Sequence, residues 1–177
     1  DFAGAVRFGR AALAMFGVYI PETVEQQSAA LDAELAALDA NLRTRRMEEL
    51  IDAPLLVDPD HRAPLEILAH MSPAAFFSGP PLSGLISVLH TNLCFEHGRS
   101  ELAAFCYACA GSSLVTAQGR YEQARELFRL SSALDEQFDA IELRGKTNVV
   151  LVSFCQFFIS FREMLPYVAR AQRAAME

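Results

Sequence analysis

The sequence predicts an all-α protein, a right-handed α–α superhelix of antiparallel helical hairpins. Three observations carry that expectation. Apolar residues recur at spacings of three and four along most of the chain, and glycines stand where those runs stop. One stretch, Gly119-x-Tyr121-x-x-Ala124-x-x-x-Phe128, also has the punctuation of a helix end followed by a close-packed second helix. There the glycine ends one helix, the aromatic residue wedges between the two, the small residue lets their backbones approach, and the phenylalanine fills the contact.

Phe2 to Val18 reads as the first helix, with Val6, Phe8, Leu13, Met15 and Phe16 as its apolar residues and Gly17 as its stop. Gly4, Phe8 and Ala11 have the same spacing as Ala124, Phe128 and Ser131, which marks this helix as the second of a hairpin. With Asp1 in place of an initiator methionine, the chain is expected to be a piece of a longer polypeptide. After Pro21, Glu22 to Arg45 places Leu31, Leu35, Leu38 and Leu42 in one narrow stripe. Glu22 and Glu25 near its start and Arg43, Arg45 and Arg46 at its end complement the helix dipole. Docking onto a neighbouring hairpin suits this seam better than a coiled coil, since three heptads are hardly reached.

Met47 to Leu56 reads as a short turn leading into a loop, with Pro54, Pro59 and Pro64 preventing regular structure before Leu65. A helix follows over Leu65–His70. A short turn over Ala74–Phe77 begins at Ser72-Pro73 and is broken by Gly79-Pro80-Pro81. Leu82 to His97 is a helix ended by Gly98, and Ser100 caps the next one, which runs to about Gln118. Its small residues Ala103, Ala104, Ala108 and Gly111 predict close packing. Arg120–Phe138, Ile141–Ile159 and Glu163–Met176 complete about eight helices, and no strand is expected.

At 177 residues the chain accommodates one continuous domain, residues 1–177, or about four hairpins of roughly 34 to 45 residues each. Fifteen Lys+Arg against 22 Asp+Glu give a net charge of −7, which repels phosphate backbones and anionic lipid, so nucleic acid is not an expected partner. The most apolar stretch, Val149 to Phe161, is interrupted by Ser153, Gln156 and Ser160 and falls short of the roughly 20 residues a membrane span needs, so it reads as a buried helix. Cys94, Cys106, Cys109 and Cys155 sit in apolar, helix-like stretches, which suits reduced thiols of a cytoplasmic protein and no disulfide framework. With 52% hydrophobic residues the chain has apolar surface to spare for neighbouring domains or a second copy of itself.

The Gly119–Phe128 pattern resembles a tetratricopeptide hairpin. The order of further stretches widens the likeness: Met47-Glu48-Glu49-Leu50-Ile51-Asp52-Ala53-Pro54, Leu65-Glu66-Ile67-Leu68, Leu82-Ser83-Gly84-Leu85-Ile86, Phe95-Glu96-His97-Gly98, Gly119-Arg120-Tyr121 and Phe161-Arg162-Glu163. Together they resemble the tetratricopeptide-like region of large bacterial signalling proteins. In that family a protein-kinase-like domain and a STAND-type ATPase are joined to a GAF domain and a sensor histidine kinase. The family usually has tryptophan where Phe161 stands and a less charged pair where Glu96-His97 stands. The resemblance implies a helical region without catalytic residues of its own, the nucleotide and phosphoacceptor motifs lying in flanking domains.

Gly79-Pro80-Pro81-Leu82-Ser83-Gly84 has two glycines of a phosphate loop, but Leu85-Ile86 stand where Lys-Ser/Thr is required and two prolines delete amide donors. His61-Arg62-Ala63-Pro64-Leu65 has the residue types of a histidine-kinase phosphoacceptor box. Two residues are missing between histidine and arginine, a rotation of roughly 200° on a helix. His90, Cys94, His97, Cys106 and Cys109 form the one group with metal-ligand chemistry, of a kind suited to zinc. Their helical, alanine-rich surroundings favour buried thiols over a zinc knuckle. No Ser/His/Asp order, His-Glu-x-x-His or paired carboxylates in an apolar setting is found.

These readings give no catalytic residue, no cofactor and no metal, and point to a protein-interaction and signal-relay scaffold inside an ATPase-coupled sensor kinase. Its expected partners are neighbouring domains of the same chain, a protein or peptide, or a second copy. The rival is a small-molecule-sensing or metal-binding helical domain with a groove beside His90, Cys94 and Tyr107. A third reading is the helical arm of a STAND-type transcription regulator.

Overall fold

The computed structural model describes residues 1–138, 141–174 and 176, and at 141, 142 and 174 it describes backbone only. Among the described residues there are nine helices: α1 (Phe2–Ala14), α2 (Val24–Thr44), α3 (Met47–Ile51), α4 (Pro59–Ser78), α5 (Pro80–His97), α6 (Glu101–Gln118), α7 (Tyr121–Phe138), α8 (Ile141–Cys155) and α9 (Phe161–Ala174). Extended pairing is limited, among these residues, to one isolated parallel bridge between Leu55 and Arg99. The chain divides into two compact units, Asp1–Arg99 and Ser100–Glu177.

In the first unit α4 and α5 form a hairpin, α1 packs on α4, and α2 packs on α5. The leucine stripe of α2 is the reason for its docking: Leu31, Leu35 and Leu38 are buried, and Leu42 is half-buried. Its register on α5 is set by polar groups. Asn92 donates to the Glu34 carbonyl and carboxylate (2.9 and 2.7 Å) and accepts from Asn41 (3.3 Å). The α1 contact does not use the spacing expected of it. Phe8 is 68% exposed beneath the Arg7 guanidinium, and Gly9 makes the approach, since a Cβ there would lie 2.2 Å from Met71 Sδ.

The prolines of the middle region do not break structure as the sequence suggests. Pro59 opens α4 at its first position, where the missing N–H has no helical partner to lose, and Asp58 caps it by accepting from Asp60 N–H (2.9 Å). Pro64 and Pro73 then lie inside one continuous helix. An interior proline costs about 3 kcal/mol, whereas burying Leu65, Leu68 and Met71 contributes about 1.5–3 kcal/mol each. All three are buried, and Pro64 buries its own ring, so packing against α1 and α5 outweighs the local penalty.

In the second unit α6 pairs with α7, α8 packs on both, and α9 packs on α8. Gly119, left-handed at φ 63° and ψ 21°, ends α6, and Arg120 N–H closes the cap on the Leu114 carbonyl (3.0 Å). Ser100 stands at the other end, but its hydroxyl makes no capping bond; its carbonyl accepts from Ala103 N–H (3.1 Å). The seam between α6 and α7 is tight because Gly111 faces the Phe128 ring, whose nearest atom would lie 3.0 Å from an added Cβ. Ser131 donates to the Ala104 carbonyl across the same seam (2.7 Å).

The apolar stretch from Val149 onward is not a buried helix. α8 ends at Cys155; its buried residues in this stretch are Leu151 and Cys155, one turn apart, while Val149 is 58% exposed. A hydrophobic run with no polar face still offers only one stripe to its neighbours, and the rest stays outside. α9 starts at a capping box the sequence states as Ser160-x-x-Glu163: Glu163 accepts from Ser160 N–H (2.8 Å), and Ser160 Oγ accepts from Glu163 N–H (3.4 Å). The expected end of this helix at Met176 runs across residue 175, outside the described residues.

Gly9→Ala tests the α1–α4 approach. The added methyl gains up to about 1 kcal/mol of helix propensity but overpacks against Met71 at about 1–3 kcal/mol. Thermal denaturation should show a net loss of stability. The loss should shrink in the Met71→Ala background, where the colliding atoms are gone.

Candidate functional site

One groove stands out in the first unit, where the C-terminus of α5 meets α2, α3 and the segment that follows α3. It encloses about 390 Å³ over an apolar floor of Leu50, Pro54 and Phe95, with Arg45, Glu49, Glu96 and His97 at its margin. Its parts are held by backbone chemistry. Arg45, the residue that ends α2, donates from its guanidinium to the Phe95 carbonyl in the last turn of α5. Glu49 accepts from Arg46 N–H (3.1 Å) and caps α3. Arg99 N–H donates to the Pro54 carbonyl and Leu56 N–H to the Arg99 carbonyl (2.9 Å each). Gly98 makes that bridge possible: at φ 106° with the Pro54 oxygen 2.4 Å from where a Cβ would stand, no other residue fits there without displacing the segment.

The two histidines at this corner meet. His61, in the first turn of α4, and His97, in the last turn of α5, stack with ring centroids 4.0 Å apart and planes 8° from parallel. His61 Nδ1 lies 3.4 Å from Asp58 Oδ2. Burial holds His97 below the ordinary imidazole value, the His61 ring adds to that, and the Glu96 and Asp58 carboxylates oppose it. Neither histidine was joined to the other, or to this groove, by any spacing in the sequence; they are 36 positions apart and meet only because α4 and α5 are antiparallel.

The residues with metal-ligand chemistry distribute as follows. His90 and Cys94 are buried one turn apart on α5, and among the described residues His90 Nε2 has no hydrogen-bond partner. His97, one turn further, is committed to the His61 stack. Cys106 and Cys109 belong to α6 of the second unit, Cys106 buried and Cys109 half-buried. Desolvation pushes the Cys109 thiol far up, with Cys106 adding to it, so Cys109 stays protonated and is a poor nucleophile and metal ligand. Desolvation raises Cys155 as well, against the opposing hydrogen bond its sulfur accepts from its own backbone N–H. The groove expected beside His90, Cys94 and Tyr107 meets three side chains that are each buried.

Of the hairpin motif, Gly119 is the αL cap of α6, Ala124 is buried, and Phe128 fills the space over Gly111. Tyr121 departs from the wedge role: it is 48% exposed, and its ring approaches Phe157 and Phe158 beyond α8 (6.4 and 6.5 Å). Phe158 also meets Phe128 edge-on at 5.5 Å and lies under the Arg125 guanidinium. The turn after α8 is therefore anchored on α7 by aromatic contacts.

A second polar group lies inside the second unit. Asn148, fully buried, donates to Asp135 Oδ2 and to the Arg144 carbonyl (2.9 Å each). Desolvation raises Asp135 above the usual carboxylate range, against the hydrogen bond from Asn148 and the charges of Arg144 and Arg170. Nothing in the sequence flags this pair, since thirteen residues of two helices separate its members.

No protein-family model, curated protein or solved structure matches this chain. Among the described residues, no helix is long and apolar enough to cross a membrane.

The raised Asp135 fixes a sign. A carboxyl whose folded-state affinity for its proton exceeds the unfolded one contributes stability that is present below about pH 4 and is lost as pH rises through the folded value. Asp135→Asn keeps an acceptor for Asn148 and removes the ionisation, so its stability relative to the parent should grow as pH rises from 4 to 7, as read by denaturant unfolding at each pH. A constant difference would show that Asp135 ionises freely in the fold.

Proposed function

We propose that this chain is a non-catalytic protein-interaction module that presents the exposed apolar face of its last helix. The observation that carries the reading is the row Phe161, Leu165 and Val168, spaced four and three apart on α9 and exposed throughout, with Phe161 at 78%. Soluble surfaces scatter large apolar residues singly; a row at helical spacing is the form of a face that packs on another helix. The neighbouring Tyr121 and Phe157 rings extend it with aromatic area, the side-chain type that anchors protein contacts.

The packing order of α6, α7, α8 and α9 supports a tetratricopeptide-like arrangement in this unit: a hairpin, then a helix seated on both of its members, then the partner of that helix. In such a stack each new helix covers the apolar face of the one before. Relay between domains of an ATPase-coupled sensor kinase, in the cytoplasm, is the context that the motifs from Met47 to Glu163 support. The protonated state of Cys109 fits a body without nucleophilic chemistry.

Phe161→Ser combined with Leu165→Ser tests the reading. Both residues are exposed, so thermal stability should stay within about 0.5 kcal/mol of the parent. Binding of the flanking segments of the same reading frame, supplied in trans and measured by calorimetry, should weaken at least tenfold, about 1.4 kcal/mol. Unchanged affinity would reject this face as the contact. A stoichiometric thermal shift with zinc or a defined metabolite would favour a sensing domain instead.

A further inference from the structure

We propose that the His61–His97 stack is a pH-sensitive latch that holds the segment between α3 and α4 against the end of α5, where it forms one side of the groove, and releases it on acidification. The geometry is specific to this corner. The segment carries Pro54 and Leu56, whose backbone groups make the two bridge bonds to Arg99, and it leads directly into the turn that bears His61. His97 precedes the strained Gly98 by one residue. The stack and the bridge therefore clamp the same short span from both ends.

Two neutral imidazoles stack favourably at 4.0 Å, and one charged ring can still lie on a neutral one. Two charged rings at that distance repel. The charged groups around the pair are Asp58 at the start of α4 and Glu96 on α5, which act on His97, with Glu49 of α3 and Arg45 at the end of α2 at the margin of the groove that His97 lines. Asp58 and Glu96 draw a proton toward His97, while Arg45 places positive charge at the groove margin. Burial and the His61 ring win over the carboxylates at His97, which is held below its ordinary value.

The direction follows from linkage. Because the folded state holds His97 below about 6.5, its contribution is fully present above that pH and is lost as pH falls through the folded value. The loss is local, since the clamped span is secured by the bridge and by Leu56, while Leu65, Leu68 and Leu85 keep α4 and α5 in place. Release uncovers Leu50 and Phe95, both buried when the latch is shut.

The test reads the amide hydrogen exchange of Leu56 and Arg99 by NMR, as protection factors corrected for the intrinsic pH dependence, together with the imidazole titrations of the unaltered chain. From pH 7.5 to 5.5 both amides should lose protection, the direction that a His97 held below its ordinary value requires. Amides in the middle of α5 should not change. His97 should titrate below the ordinary imidazole value. His61→Phe keeps a ring on His97 without a second charge and should reduce the pH dependence, leaving the part that burial of His97 contributes. Protection that stays constant with pH, or falls equally in His61→Phe, overturns the proposal. Should that variant not fold, the unaltered chain decides: a His97 midpoint at or above the ordinary value overturns it.

Discussion

At one point in α1, one at the end of α5 and one in α6, elements come close because a side chain is missing, and the contacts around those points depend on that. Gly9 lets α1 rest on Met71, Gly111 lets Phe128 lie flat on α6, and Gly98 lets the Pro54 carbonyl reach the backbone beyond α5. In each case a bulky group or a backbone atom occupies the volume that a Cβ would take. Interiors are packed at crystal-like density, so such a vacancy is filled by one particular neighbour and fixes which elements can touch. The buried stripes of α1, α4 and α6 follow from these approaches.

Hydrophobic contact alone leaves helices free to slide, and each unit contains polar bonds that remove that freedom. Asn92 ties α5 to α2 through Glu34 and Asn41, Ser131 ties α7 to α6, and Asn148 ties α8 to α7 through Asp135. Their net energies are modest, about 1 kcal/mol each, but leaving any of these buried groups unpaired costs more, so the alternative registers are penalised. The His61–His97 stack has a different character: its attraction depends on charge state, so it sits where a local release can occur without loss of the surrounding core. Phe161, Leu165 and Val168 on α9 take part in none of these ties and stay exposed.

Much of the architecture was legible locally. The stripe Leu31, Leu35 and Leu38 announced α2 and its buried face; Gly98 and Gly119 marked the ends of α5 and α6; the small residues of α6 announced its tight seam. Three readings failed for one reason, that a local preference was outweighed by packing or had no packing to serve. Prolines that should have broken the region before Leu65 lie inside α4 because its apolar face is buried. Phe8 matched a spacing, yet Gly9 beside it makes the contact. Val149 to Phe161 was apolar enough for a core, yet Val149, Phe157 and Phe161 stay exposed.

The sequence by itself determined that the chain is helical, where most helices stop, and that its cysteines sit on helices, because periodicity, glycine conformation and capping act within a few residues of one another. Only the tertiary structure decided which helices pair, that His61 meets His97, that Asn148 finds Asp135, and which apolar residues remain outside. Those outcomes join residues far apart in the chain, and the physical quantity that selects among them, the apolar area each packing removes from water, belongs to no single segment.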